Sequence, residues 1–152
     1  YALKGRYMFK NTKSAHQLRQ ESLNHPQWVE AMAVQIKRQK WFRWHDAGDL
    51  QSVQHLNNII SVCKLTPGTM HWLPTREAQI LKEFTPDMIP TNLIIRLSSH
   101  MINQGPVKQW PHTSTVTDGS GRTCPAPDQG GICGECRSCW DRDTKNVCYG
   151  KH

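Results

Sequence analysis

Apolar and polar positions alternate along the chain with two different periods. Residues 14–23 carry a weak helical pattern. "NHPQWVEAMAVQIKRQK" carries a clearer one, with Val29, Met32, Ala33 and Ile36 recurring at helical spacing. Asn24 can cap it, Pro26 suits its first turn, and Lys37, Arg38 and Lys40 favour its C-terminal end. "WFRW", 41–44, is short and aromatic and reads as a strand. "LQSVQHLNNIISVCK" reads as the next helix, with Val53, Leu56, Ile60 and Cys63 on one side and Asp49 as N-cap. A turn at 66–69 leads to a second strand, "MHWL", 70–73. Residues 75–84 then form a helix capped by Thr75. "LIIRLSS", 93–99, is the most strand-like run, and "TSTVT", 113–117, a shorter strand. Beyond Asp118 the chain turns rich in Gly, Pro and Cys and little regular structure is expected.

Helix, strand, helix, strand, helix, strand implies an α/β fold of parallel strands joined by right-handed crossovers. The expected organisation is an α/β body over 1–118 and a Cys-rich segment, 119–152, packed on it. With 37% hydrophobic and 20% charged residues, 152 residues can build one domain with a real core. No apolar run approaches the roughly 18 residues of a membrane span. Tyr1 in place of Met reads as a trimmed or partial chain.

The polar groups after each strand share a placement. Strand 41–44 runs into His45, Asp46 and Asp49; strand 70–73 into Arg76 and Glu77; strand 93–97 into Ser98, Ser99 and His100; strand 113–117 into Asp118. At the carboxyl ends of parallel strands such groups converge on one rim, where α/β sheets and barrels build their sites. The catalytic candidates are therefore His45, Asp46, Asp49, Arg76, Glu77 and His100. Ser98 and Ser99 are candidate cofactor contacts. Helix capping is the competing use of Asp49 and Thr75.

Four of the six cysteines fall in "TCPAPDQGGICGECRSCW", spaced Cys124-x8-Cys133-x2-Cys136-x2-Cys139. Disulfide frameworks spread their staples over the chain; thiols two residues apart converge on one centre, which is metal chemistry in a reducing compartment. C-x2-C-x2-C is the local spacing of a cubane iron–sulfur ligand loop. Structural zinc more often uses separated C-x2-C pairs. A [4Fe-4S] cluster on Cys124, Cys133, Cys136 and Cys139 is the first expectation and zinc the second. Cys148 is the alternative fourth ligand, and a zinc set could include Cys148 or His152. Trp140 is expected to pack over the loop. Cys63, on a helix face, reads as a small buried hydrophobe.

Nineteen Lys and Arg against twelve Asp and Glu give a net charge of +7. That favours nucleic acid or phosphate-bearing ligands. The positive residues are scattered with no block of like charge, and a solvated basic surface is the more ordinary reading of them.

"YALKGRYMFKN", "RWHDAGDLQS", "HWLPTRE" and "CPAP…QGGICGECRSCWD…YGKH" together resemble the phage family known as gene product 88, whose function is not established. That family looks like a small, divergent relative of radical S-adenosylmethionine enzymes. The resemblance implies a partial β/α barrel, an N-terminal strand with cysteines upstream of Tyr1 in a C-x-x-C-Y-A context, and a C-terminal cysteine set serving an auxiliary or structural metal. It also implies that His45, Asp46, Asp49, Arg76, Glu77, Ser98 and His100 line the barrel mouth, with S-adenosylmethionine as a cofactor. The location implied is the host cytoplasm. Three functions are then in play. One is a radical-type iron–sulfur enzyme acting on nucleic acid or a nucleotide. Another is a zinc-stabilised nucleic-acid-binding module without catalysis. The last is a metal-dependent hydrolase using His45, Asp46, Asp49 and His100. Oligomeric state is left open.

Overall fold

The computed structural model describes residues 9–45 and 48–151; Asp46 and His152 lie outside the described residues. Five strands, β1 (Trp41–Arg43), β2 (Met70–Thr75), β3 (Leu93–Ser98), β4 (Thr113–Thr117) and β5 (Asn146–Gly150), form one sheet in the order β1-β2-β3-β4-β5. Every neighbouring pair is parallel. The result is an α/β half-barrel. Among the described residues four α-helices accompany it: α1 (Lys10–Ser22), α2 (Trp28–Ile36), α3 (Val53–Leu65) and α4 (Ala78–Leu81). No helix is long and apolar enough to cross a membrane among the described residues.

The central strands are apolar on both faces, as strands covered from both sides must be. Register sorts the side chains: His71, Leu73 and Thr75 align with Leu93, Ile95 and Leu97 on one face, and Trp72 and Pro74 with Ile94 and Arg96 on the other. The first face packs on α2 and α3. Leu56, Ile59, Val62 and Cys63 of α3 are fully buried there with Leu73 and Ile95. Each such aliphatic side chain contributes roughly 1.5–3 kcal/mol on burial. Cys63 is thus a core residue, as its helical position implies, and burial pushes its thiol pKa up. The Asn92 side-chain amide ties the end of α3 to the start of β3, donating to the Cys63, Thr66 and Thr69 carbonyls at 2.9, 3.1 and 3.0 Å.

Several local expectations change. Helix α2 starts at Trp28 rather than beside Asn24, and its N-cap residue, Gln27, makes no side-chain cap bond. The cap of α3 is Ser52, whose hydroxyl accepts the His55 N–H at 3.0 Å. Asp49 is occupied elsewhere, as described below. Thr75 ends β2 instead of opening a helix, and the helix expected over 75–84 shrinks to the four residues of α4. Between β3 and β4 no helix forms. Residues 99–112 are irregular, and buried Trp110 closes the gap by donating its indole N–H to the Ile95 carbonyl at 2.8 Å.

The segment after Asp118 is more ordered than its composition suggests. It contains two short 3-10 turns, at 126–129 and 138–140, and supplies β5, paired with β4 over its whole length. The 138–140 turn packs on β2 and β3 over the Trp72–Arg96 face, where Cys139 joins Trp72 and Val147 in a second core cluster. The β4-to-β5 connection therefore crosses the face opposite α3. The outward-facing backbone of Cys148 is met by the same segment: its carbonyl accepts the Thr123 and Cys124 N–H groups at 2.9 and 3.0 Å, and its N–H donates to the Thr123 hydroxyl at 2.8 Å.

Candidate metal centre and strand-end rim

Arg96 organises the Trp72–Arg96 face. It sits mid-strand in β3 with no solvent exposure. Its guanidinium donates to four backbone carbonyls: Nε to Cys139 at 3.0 Å, Nη1 to Thr113 at 3.3 Å, and Nη2 to Ser138 and Asp141 at 2.5 and 3.0 Å. Three of these acceptors belong to the turn that carries Cys139. No carboxylate pairs with it; among the described residues the one ion pair joins Arg122 and Asp128. Burial lowers its pKa, and Cys139, Tyr149 and Asp141 push it back up. A buried positive charge is thus held against a thiol, bonded to backbone carbonyls and with the Asp141 carboxylate acting on it only from outside ion-pair contact.

The six cysteines are all free thiols, so the paired-disulfide alternative has no support here. Cys139 is buried and its pKa is pushed up to about 11, chiefly by burial, with the Tyr149 hydroxyl and Arg96 opposing and Cys124 and Cys133 raising it further. Its sulfur shares a hydrogen bond with the Tyr149 hydroxyl at 3.3 Å. Burial also drives Tyr149 well above the ordinary phenol value. Cys136 behaves differently: the Ser138 hydroxyl, 3.4 Å from its sulfur, and the Ser138 backbone favour the thiolate and lower its pKa, with Arg137 adding to the effect. Gly130, Gly131 and Gly134 all take positive φ, conformations that residues with a Cβ adopt rarely, and they wind the loop between Cys124 and Cys136. By register, Cys148 sits on the α3 side of β5, while Val147 and Tyr149 share the face of Cys139.

Among the described residues, no three His, Cys, Asp or Glu side chains stand close enough together to hold a metal ion. The surroundings nevertheless suit an electron-rich guest. Cys124 and Cys133 each lie within electrostatic reach of Cys139. Beside them stand Arg96, in no ion pair, and the buried indole N–H of Trp72, which has no acceptor among the described residues. An unpaired buried donor and a buried cation in no ion pair are what thiolate sulfur would satisfy. Trp140 covers this corner, edge-on to Trp72 and Trp41 at 5.2 and 5.9 Å, with its N–H donated to the Phe42 carbonyl at 3.0 Å.

The rim residues gather only in part. Asp49 is the hub. Its carboxylate accepts from the Leu50 N–H at 2.7 Å, the Thr75 hydroxyl at 2.5 Å and the Arg76 N–H at 2.7 Å, clamping the loop after β1 to the end of β2. Arg76 reaches on to the loop after β3, donating to the His100 carbonyl at 2.5 Å. His45, half-buried at positive φ, has an Nε2 with no partner and lies edge-on to His55 at 5.5 Å. Burial lowers the pKa of both histidines, that of His55 to about 4. Ser98 bonds Ser114 at 2.7 Å and Ser99 donates to the Gly105 carbonyl at 2.8 Å, so both hydroxyls are engaged within the fold. The Glu77 and His100 side chains are exposed. Asp46 lies outside the described residues.

Sequence reasoning passed over Arg96, Tyr149 and His55. Arg96 carried a readable signal: one charge in the middle of "LIIRLSS" needs a buried partner or a buried purpose. Tyr149 and His55 owe their settings to contacts distant in the chain.

The fold and face together define a parallel α/β half-barrel whose last crossover is a thiol-rich segment. The family profile described as Gene product 88, a phage family, matches residues 1–142, and the chain belongs to that family. No curated protein and no solved structure gave a match.

Proposed function

We propose that this phage protein holds a thiolate-bound metal centre on Cys124, Cys133, Cys136 and Cys139, an iron–sulfur cluster in first place and zinc in second. The observation that carries the reading is Arg96. A tetrathiolate centre has net negative charge, and a buried guanidinium with no carboxylate in ion-pair contact is the counter-charge it needs. Trp72 offers a spare N–H donor, and Trp140 keeps water from this corner. When bound, an iron–sulfur cluster would supply one-electron chemistry. The rim formed by His45, Asp49, Arg76, Glu77 and His100, with Ser98 and Ser99, is where S-adenosylmethionine and a nucleic-acid or nucleotide substrate are proposed to meet.

Anaerobic purification followed by iron, sulfide and zinc analysis tests the centre. Near-stoichiometric metal that falls away in Cys136→Ser and persists in Cys63→Ser is the expected result. Protein carrying neither metal, or carrying it undiminished in Cys136→Ser, removes the reading.

A second reading, a zinc-stabilised nucleic-acid-binding module, is favoured by one feature. Lys40 and Arg137 stand over half-buried Trp41 at 5.8 and 5.5 Å, with Arg43 nearby, a grouping of cations beside an aromatic ring suited to a single strand. Single-stranded DNA affinity that falls steeply with salt supports it; affinity indifferent to salt refutes the phosphate contacts.

A further inference from the structure

An open depression of about 560 Å³ lies where β4 and β5 end, walled by residues 117–122 with Gly150 and Lys151. Both strands are parallel, so this is again the carboxyl rim, but displaced from the Asp49 hub toward the far side of the sheet. The turn "TDGSGR" is braced from outside. The Thr117 hydroxyl accepts the Gly119 N–H at 3.1 Å and donates to Asn103 Oδ1 at 3.1 Å. Asn103 Nδ2 holds Asp118 Oδ1 at 2.7 Å, and the Lys151 N–H extends the β-pairing to the Thr117 carbonyl at 2.8 Å.

Within this rigid frame, the next three backbone N–H groups, those of Ser120, Gly121 and Arg122, have no acceptor among the described residues. Gly121 takes φ +96°, which turns the backbone so that successive N–H groups can point into one concavity. Gly150 completes the floor. A Cβ there would meet Arg122 Cδ at 3.1 Å, a tight contact, so glycine lets the arginine stem lie close across the end of β5 without shifting. One edge of the Arg122 guanidinium is taken by Asp128. Lys151 is exposed and its ammonium makes no ion pair among the described residues.

We propose that this turn is a nucleotide-binding cradle: the free N–H groups, Arg122 and Lys151 receive the phosphates, and the second carboxylate oxygen of Asp118 accepts a ribose hydroxyl. Consecutive N–H donors beside two cations select phosphate, whose oxygens accept several bonds at once. A carboxylate in the same depression repels a bare anion and rewards a hydroxyl, which is why the ligand is a nucleotide rather than free phosphate. The volume is ample for one. This inference rests on the nucleotide half of the proposed function and not on its metal.

Calorimetric titration of the metal-loaded full chain with ADP, pyrophosphate and adenosine tests it. ADP is expected to bind saturably and more tightly than either of the others. Lys151→Gln and Gly121→Ala should each weaken ADP roughly tenfold, the size of one lost bond to a charged group. Gly119→Ala, where a Cβ meets nothing within 4 Å and φ is ordinary, should bind as the unaltered chain does. Metal content, measured on the same samples, should not move with any of the three. Should Gly121→Ala not fold, Lys151→Gln carries the test alone. No saturable ADP binding, ADP held no tighter than pyrophosphate, or undiminished binding in Lys151→Gln overturns the cradle. A chain that binds ADP but no metal leaves the cradle standing and removes the metal centre.

Discussion

Replacing Arg96 with leucine is the most direct test of how the thiol-rich crossover is held. The substitution keeps most of the volume and removes the charge, so it separates packing from polarity. Removing both partners of a buried polar contact can be nearly neutral, but here only the donor leaves. The carbonyls of Cys139, Thr113, Ser138 and Asp141 stay behind, at 3.0, 3.3, 2.5 and 3.0 Å from donors that no longer exist. Each orphaned buried acceptor costs about 1–3 kcal/mol, and some rehydrate because Ser138 and Asp141 lie nearer the surface. Release of the buried guanidinium offsets part of the rest. A net loss of about 3–5 kcal/mol follows, in the range for breaking one side of a buried charged contact. Urea unfolding followed by tryptophan fluorescence reads it, because Trp72 and Trp140 pack on this face. Metal content should fall in step. Arg96→Lys keeps the charge but cannot span four acceptors, so it should lie between the two. A leucine variant within about 1 kcal/mol of the unaltered chain, with its metal intact, would refute the anchoring role.

Asp49→Ala removes three acceptor contacts at the rim and should destabilise the chain by about 2 kcal/mol in urea unfolding; unchanged stability would mean that the carboxylate is held for something other than the clamp. Acid should also destabilise the fold. Burial lowers His55 and His71 from 6.5 to about 4, so both are neutral in the folded chain where unfolded histidine takes a proton. Their contribution, at most about 3 kcal/mol each, is fully present above pH 6.5 and lost as pH falls toward 4. Thermal midpoints that hold steady between these values would contradict it.

Much of the body could be read from short runs. β1 to β4 lie within a residue or two of the segments marked by aromatic and β-branched residues, because such side chains suit a sheet covered on both faces. The parallel order followed from the helical segments between the first three strands. What was not legible depends on contacts across the chain. "NVCYG" is too short to stand out, and its cysteine drew it into the metal reading, yet it pairs with β4 at all five positions. Asp49 looks like a helix cap until Ser52 takes that place and frees it for Thr75, 26 residues away. The passage of the final connection over the Trp72–Arg96 face had no local signal either. Arg96 and the 138–141 turn, more than 40 residues apart, hold it where it is.

The Thr123 and Cys124 contacts to Cys148 have a consequence for solution behaviour. β5 is a terminal strand of the sheet, and an uncovered terminal strand is a template on which a second molecule can add its own. In this fold the thiol-rich segment occupies that border at its midpoint, using the Cys148 amide and carbonyl that a foreign strand would seek. Anything that loosens the segment, whether oxidation or loss of Arg96, would expose the border, and the first symptom would be self-association before any change in helix content.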